Sequence, residues 1–270
     1  MNEKIRVENV GMTFFNERTN REVVALEQVG LAIQQGEFVC LLGPSGCGKT
    51  TLLNSVAGFL HPTEGQILVN GNPVKEPGSD RGIVFQEYGL FPWFTVSQNI
   101  AFGPRMSGAS QKEQDTLIRE FVDLVHLQGF EDHYPGELSG GMKQRVSIAR
   151  VLANGPDILL MDEPFGALDA QTREIMQEEL LRIWEMDKKT CLFVTHSIAE
   201  AVYLSDRIVI ISARPGRVKQ IVDVKIPRLR DRTSTEFFEI YRHVDKTLRE
   251  EMMKEVKLEE EELLEQMETD

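Results

Sequence analysis

Nine consecutive residues, Gly43-Pro44-Ser45-Gly46-Cys47-Gly48-Lys49-Thr50-Thr51, carry the strongest chemical signal in the chain. They fit the spacing G-x-x-x-x-G-K-[ST] and stand between an apolar run, Phe38-Val39-Cys40-Leu41-Leu42, and the helix-type stretch Leu52–Gly58. Glycines let a backbone curl until successive N–H groups face a polyphosphate, and a helix starting there adds the positive end of its dipole. In such a cradle Lys49 reaches the β- and γ-phosphates and the Thr50 hydroxyl holds Mg²⁺. The pattern predicts a nucleoside triphosphate site. A second signal is Asp162-Glu163, two carboxylates that end the apolar run from Ile158. Asp162 is placed to hold Mg²⁺, directly or through water, and Glu163 to orient and deprotonate an attacking water. Taken alone, the two carboxylates equally begin a turn. The third signal is Leu138-Ser139-Gly140-Gly141 at the start of a helical stretch. A serine hydroxyl, glycine amides and a helix dipole make another anion-binding end. One nucleotide cannot use two distant cradles of the same chain. The economical arrangement is two chains head to tail, each offering Ser139, Gly140 and Gly141 to the γ-phosphate held by the other.

The elements that must hold these residues are legible as alternation and periodicity. Strands are predicted over Ile5–Val10, with Phe14 and Phe15 just beyond, and over Leu26–Ile33. Turns at 34–37 and 62–65 flank the phosphate-loop unit, and the short strand Gln66–Val69 meets a hairpin signal at Asn70-Gly71. Ile83-Val84-Phe85 reads as a buried strand stopping at Gln86. From about Val96 to Val151 helical spacing takes over, as in Leu117, Ile118, Phe121, Val122, Leu124 and Val125, which predicts a helical subdomain inserted into a sheet-containing core. The core resumes with a strand at 158–163, a helix over about 171–186 and a strand 191–195 ending at His196. A short helix at 198–204 and a strand at 207–211 follow. Phe237 to Glu268 is helix-permissive; the expectation is a docked helix to about Leu248 and a solvated acidic tail around Glu259–Glu262.

Composition narrows the classes. The chain has 270 residues, 41% hydrophobic and 27% charged, which is ordinary for a soluble globular protein with an ample core. A net charge of −13 argues against a surface that coats nucleic acid. No window approaches the roughly 18 apolar residues of a membrane span, and Met1–Arg6 has no apolar signal core. Cys40, Cys47 and Cys191 form neither a metal spacing nor a disulfide framework, so the expected compartment is the cytosol. Cys47 is either an oxidisable point in the loop or simply a small loop residue.

Together these motifs resemble the ATP-binding-cassette (ABC) ATPases over nearly all of residues 1–215. The phosphate loop, Gln86 after a strand, Leu138-Ser139-Gly140-Gly141, Asp162-Glu163, Ala167-Leu168-Asp169 and His196 occur in that family's order. The resemblance implies an α/β fold: a phosphate-loop NTPase core of ABC type with an antiparallel β subdomain and an inserted helical subdomain at about 88–155. The nucleotide-binding domain would span 1–235, with a C-terminal acidic helical extension over 236–270. It implies ATP and Mg²⁺ at the loop residues 43–51, with Gln86 touching the metal or the water and sensing the γ-phosphate. Glu163 would be the general base, His196 would contact the γ-phosphate, and Asp169 would lie at the dimer seam. Phe14, or else Phe15, would stack on adenine, although both fit core positions equally well. The signature's fifth residue is Met142 where the family often has Gln, and the stacking aromatic is usually Tyr. The first departure bears on coupling and not on activity.

Such an ATPase needs a partner to move, and without a span of its own that partner is a separate permease. Residues Gln86–Val96, with the cluster Tyr88, Leu90, Phe91, Pro92, Trp93 and Phe94, form either the docking patch or packing for the subdomain hinge. Gly78–Gln86, Pro92-Trp93, Asn99–Gly103 and Arg214–Arg217 resemble the nitrate, sulfonate and taurine importer ATPases. That implies a homodimer on the cytoplasmic side of the membrane, a permease, an external binding protein and a small, often anionic cargo. The alternatives are an exporter ATPase, a soluble cassette protein acting on ribosomes, and a switch whose output is dimerisation alone.

Overall fold

The computed structural model describes residues 2–16 and 20–269, with side chains at all of these except 16, 255 and 257–269. The chain forms two compact units, Met1–Pro77 with Leu192–Asp270, and Gly78–Cys191.

The first unit opens with two long strands, β1 (Glu3–Asn16) and β2 (Arg21–Gln34), paired antiparallel with Ile5 opposite Ile33 and Phe14 opposite Val23. The alternation that predicts them is visible in burial: Ile5, Val7, Val10 and Met12 turn inward, as do Leu26, Val29, Leu31 and Ile33. Both run several residues further than the sequence signals. β4 (Glu64–Val69) and β5 (Asn72–Pro73) complete a sheet in the order β2-β1-β4-β5, and the hairpin at Asn70-Gly71 joins the last two. β3 (Phe38–Leu42) is buried at every position and feeds α1 (Lys49–Ala57). A continuous apolar run suits a parallel strand covered on both faces, and β3 pairs in parallel with β9 (Arg207–Ile211). β10 (Val218–Asp223), which the weak signals beyond Gly216 do not announce, adds antiparallel to β9 and makes this sheet mixed. β8 (Thr190–Val194) lies beside β3, and the chain passes from one unit to the other within it. α6 (Ile198–Leu204) follows.

α7 (Thr235–Thr269) is one continuous helix. Its buried stripe Phe237, Val244 and Leu248 is the expected docked segment. Residues 259–262 lie on the helix, in keeping with a helical extension, and their side chains lie outside the described residues.

The second unit holds the predicted helical stretch as α2 (Val96–Met106), α3 (Gln111–Leu124) and α4 (Gly140–Ala153). It also contains β6 (Arg81–Val84) paired in parallel with β7 (Ile158–Asp162), and α5 (Ala170–Asp187). Helix starts here are written in sequence: Thr95 with Gln98 and Ser110 with Glu113 form reciprocal capping boxes. Among the described residues no helix is long and apolar enough to cross a membrane.

Candidate functional site

The phosphate loop begins where β3 ends. Gly48, at φ 93°, is the N-cap of α1, and a Cβ there would stand 2.5 Å from Leu26 Cδ2, so only glycine fits. Lys49 is buried and its Nζ donates to the carbonyls of Gly43 (2.8 Å) and Pro44 (2.6 Å) and to Cys47 Sγ (3.5 Å). The ammonium therefore lies folded into the loop. Ser45, Gly46 and Thr50 are exposed. No side chain caps α1 and no acidic residue occupies its first turn, which leaves the helix's positive end to an outside anion. This cradle fits a polyphosphate. Cys47 is buried, as are Cys40 and Cys191, and all three are free thiols; burial pushes the Cys40 thiol far up.

The same unit carries His196 on the turn between β8 and α6, with its side chain exposed. The turn is well tied. The Thr195 amide donates to Leu41 O (3.3 Å), and the Thr195 hydroxyl donates to Glu200 Oε2 (2.5 Å) while accepting from the Ser197 amide (3.0 Å). Thr195 and Glu200 are both buried, a pairing the sequence shows only as a carboxylate five residues on. Phe14 and Phe15 are 40% and 59% exposed at the end of β1. Neither is a core aromatic, and adjacent strand positions face opposite sides.

In the second unit β7 delivers Asp162, buried, and Glu163, half-buried at φ 46°. Ser139 is the exposed N-cap of α4, and its hydroxyl accepts from the Met142 amide (3.3 Å). That cap uses the backbone of Met142, so the departure at this position leaves it intact. Space at Gly140 and Gly141 is tight: a Cβ at Gly140 would lie 2.9 Å from Tyr88 Oη, and one at Gly141 would lie 3.3 Å from Leu168 Cδ2. Tyr88 thus belongs beside the signature, a placement without a sequence signal. Asp169 caps α5 by accepting from the Thr172 amide (3.0 Å), and that hydrogen bond holds its carboxyl below the usual range. Gln86 is exposed just after β6. The Thr50 hydroxyl, the Asp162 carboxylate and the Gln86 amide oxygen are hard donors of the kind Mg²⁺ takes. Lys49, Thr50 and His196 belong to the first unit, and Gln86, Ser139, Asp162, Glu163 and Asp169 to the second.

The segment after Gln86 is partly packed and partly exposed. The rings of Phe91, Phe94 and Phe102 pack together, with centroids of Phe91 and Phe102 4.6 Å apart, and Arg150 and Arg105 lie over them. Trp93 and Pro92 face outward, Trp93 with 66% of its surface exposed. Buried Asn99 holds the segment in shape. Its Oδ1 accepts from the Phe91 amide (3.0 Å), and its Nδ2 donates to the carbonyls of Phe91 (3.2 Å), Phe94 (3.0 Å) and Thr95 (3.0 Å). An asparagine one turn after a Thr cap is the sequence signal that would have found it.

The sequence matches the family model described as ABC transporter over residues 26–166. It is similar to an uncharacterized ABC transporter ATP-binding protein of Methanocaldococcus jannaschii, 53% identical over 95% of this chain and 96% of that one. An aliphatic sulfonates import ATP-binding protein of Bacillus cereus is 47% identical over 87% of this chain and 92% of its own. A nitrate import ATP-binding protein of Synechocystis is 51% identical over 76% and 77%. Among solved structures, a dimeric ATP-binding cassette in a post-hydrolysis state bound to ADP and Pi superposes with a TM-score of 0.74 at 34% identity, covering 83% of this chain and all of that one. With a family model over more than half of its length and relatives this similar, the chain belongs to the ABC transporter family, as the ATP-binding, ATP-hydrolysing subunit.

Proposed function

We propose that this ATPase powers a membrane importer for a small, anionic nutrient of the nitrate, sulfonate or taurine kind, as a head-to-tail homodimer on separate permease subunits. The observation that carries the reading is that one chain bears two anion-binding helix starts, the loop before α1 and the Ser139 end of α4, one in each unit. A nucleotide held by Lys49 and the loop amides of residues 43–51 then finds its second cradle, Ser139-Gly140-Gly141, on another copy. Asp169 lies at that seam and Phe14 stacks on adenine. Thr50, Asp162 and Gln86 would hold Mg²⁺, which when bound supplies positive charge against the phosphate oxygens. Glu163 takes the proton of the attacking water on its carboxylate, and His196 contacts the γ-phosphate. ATP favours the closed dimer and hydrolysis releases it, so the cycle drives a partner through differential binding. Residues 1–235 form the nucleotide-binding domain, with a helical subdomain at about 88–155, and 236–270 form a C-terminal extension.

The relatives whose names state nitrate and sulfonate import support the cargo class, and the outward Trp93 and Pro92 support a permease contact through Gln86–Val96. The working place is the cytoplasmic face of the membrane, opposite an external binding protein. Isolation of the tagged chain from gently solubilised membranes tests this. The expected companion is a polytopic membrane protein, captured less well by a Trp93→Ala chain. Recovery of a soluble homodimer alone, or of ribosomes, overturns the importer reading.

A further inference from the structure

The apolar docking stripe of α7 continues one turn past Leu248 into a carboxylate. Glu251 is 1% exposed. A carboxylate on a packing stripe is costly unless its oxygens are matched, and here they are. Oε2 accepts from the Ala213 amide (3.2 Å), while Oε1 meets Lys254 Nζ (2.7 Å) and Lys219 Nζ (3.3 Å); Arg214 and Arg217 line the same cleft. Burial pushes this carboxyl up, but the bonds from Lys254, Ala213 and Lys219 outweigh it and leave it below its ordinary value, ionised at neutral pH.

Ala213 belongs to the turn 212–217 between β9 and β10. The turn is closed on itself: the Ser212 amide donates to Arg217 O (2.9 Å), the Ser212 hydroxyl to Pro215 O (3.0 Å), and the Arg217 amide to Ser212 Oγ (3.0 Å). Its far side is hydrogen-bonded to β2 and abuts the phosphate loop at Cys47. The Gly216 amide donates to Ala25 O (3.0 Å), Gly216 O accepts from the Glu27 amide (3.0 Å), and a Cβ at Gly216 would stand 2.1 Å from the carbonyl oxygen of Cys47. Backbone therefore lies against backbone with no room for a side chain. Cys47 is two residues before Lys49, within the cradle itself.

We propose that Glu251 is a positioning residue of the nucleotide site: it holds the turn 212–217, and through Gly216 the phosphate loop, in the shape that receives the phosphates. The C-terminal helix is thereby mechanically joined to ATP binding. This rests on the phosphate-loop reading of residues 43–51, which the test separates.

The full chain is compared with Glu251→Leu, Glu251→Gln, Glu251→Asp and Lys49→Ala. ATP affinity is titrated with EDTA present, turnover is measured at saturating ATP with Mg²⁺, and maleimide labelling of each cysteine is followed by mass spectrometry. Glu251→Leu should raise the Kd for ATP about five- to tenfold, the scale of one ordinary intramolecular hydrogen bond. Its kcat should stay close to the parent value, and Cys47 should label faster while Cys40 and Cys191 stay protected. Glu251→Gln, whose amide oxygen still accepts from Ala213, should recover most of the affinity. Glu251→Asp keeps the charge but is one methylene short of that amide, so it should resemble the Leu variant and serves where the latter fails to fold. Parent affinity in a folded Leu or Asp variant overturns the proposal, as does a Gln variant as weak as Leu. Unchanged ATP affinity in Lys49→Ala would sink the loop reading itself; loss there with parent affinity in the Glu251 variants sinks the positioning role alone.

Discussion

Glu163 is a non-glycine residue at φ 46°, a region that costs on the order of 1–3 kcal/mol and persists only where surroundings impose it. In the proposed reading this residue is the general base. Glu163→Gln keeps size and polarity but cannot take a proton. It should retain ATP binding and lower turnover by roughly a hundredfold or more, the scale of losing a general base; turnover at the parent rate would remove Glu163 from that role. Residue type and spacing made Lys49, Asp162, Glu163 and Ser139 legible, because phosphate chemistry admits few substitutes at those points. Phe14 and Phe15 were not separable, since two aromatics side by side on a strand differ only in which face they take. The structure exposes both.

At the level of elements, apolar runs placed the buried strands within a few residues and helical spacing marked the helical stretch from about Val96 without dividing it into α2, α3 and α4. The failures have one cause. β10 has alternating half-buried residues and borrows its order from β9, so its strand character is tertiary. Likewise β1 and β2 lengthen each other beyond what either alone announces. Asn99 shows the same dependence in reverse. Its four hydrogen bonds hold the Phe91–Thr95 segment that carries Trp93, so Asn99→Leu leaves buried polar groups unmatched. The expected loss is on the order of 3 kcal/mol in denaturant unfolding, together with weaker capture of the membrane partner. An unchanged unfolding midpoint would show that the segment keeps its shape without that side chain.

For the whole molecule, the loop that cradles phosphate and the helix capped by Ser139 stand in different units of one chain. In the head-to-tail reading, Ser139→Ala should impair ATP-driven dimerisation of the Glu163→Gln chain, read by light scattering, far more than ATP binding by the monomer. Equal loss of both would argue against the shared site. By itself the sequence determined the chemistry and the family, because a phosphate cradle needs glycine, lysine and a hydroxyl at fixed local spacing. It also determined most helix starts, because caps are made within four residues. Only the tertiary structure decided the length of the paired strands and the burial of Glu251 against Ala213. Those outcomes depend on partners far away in the chain, and no local pattern encodes which distant amide a buried carboxylate will meet.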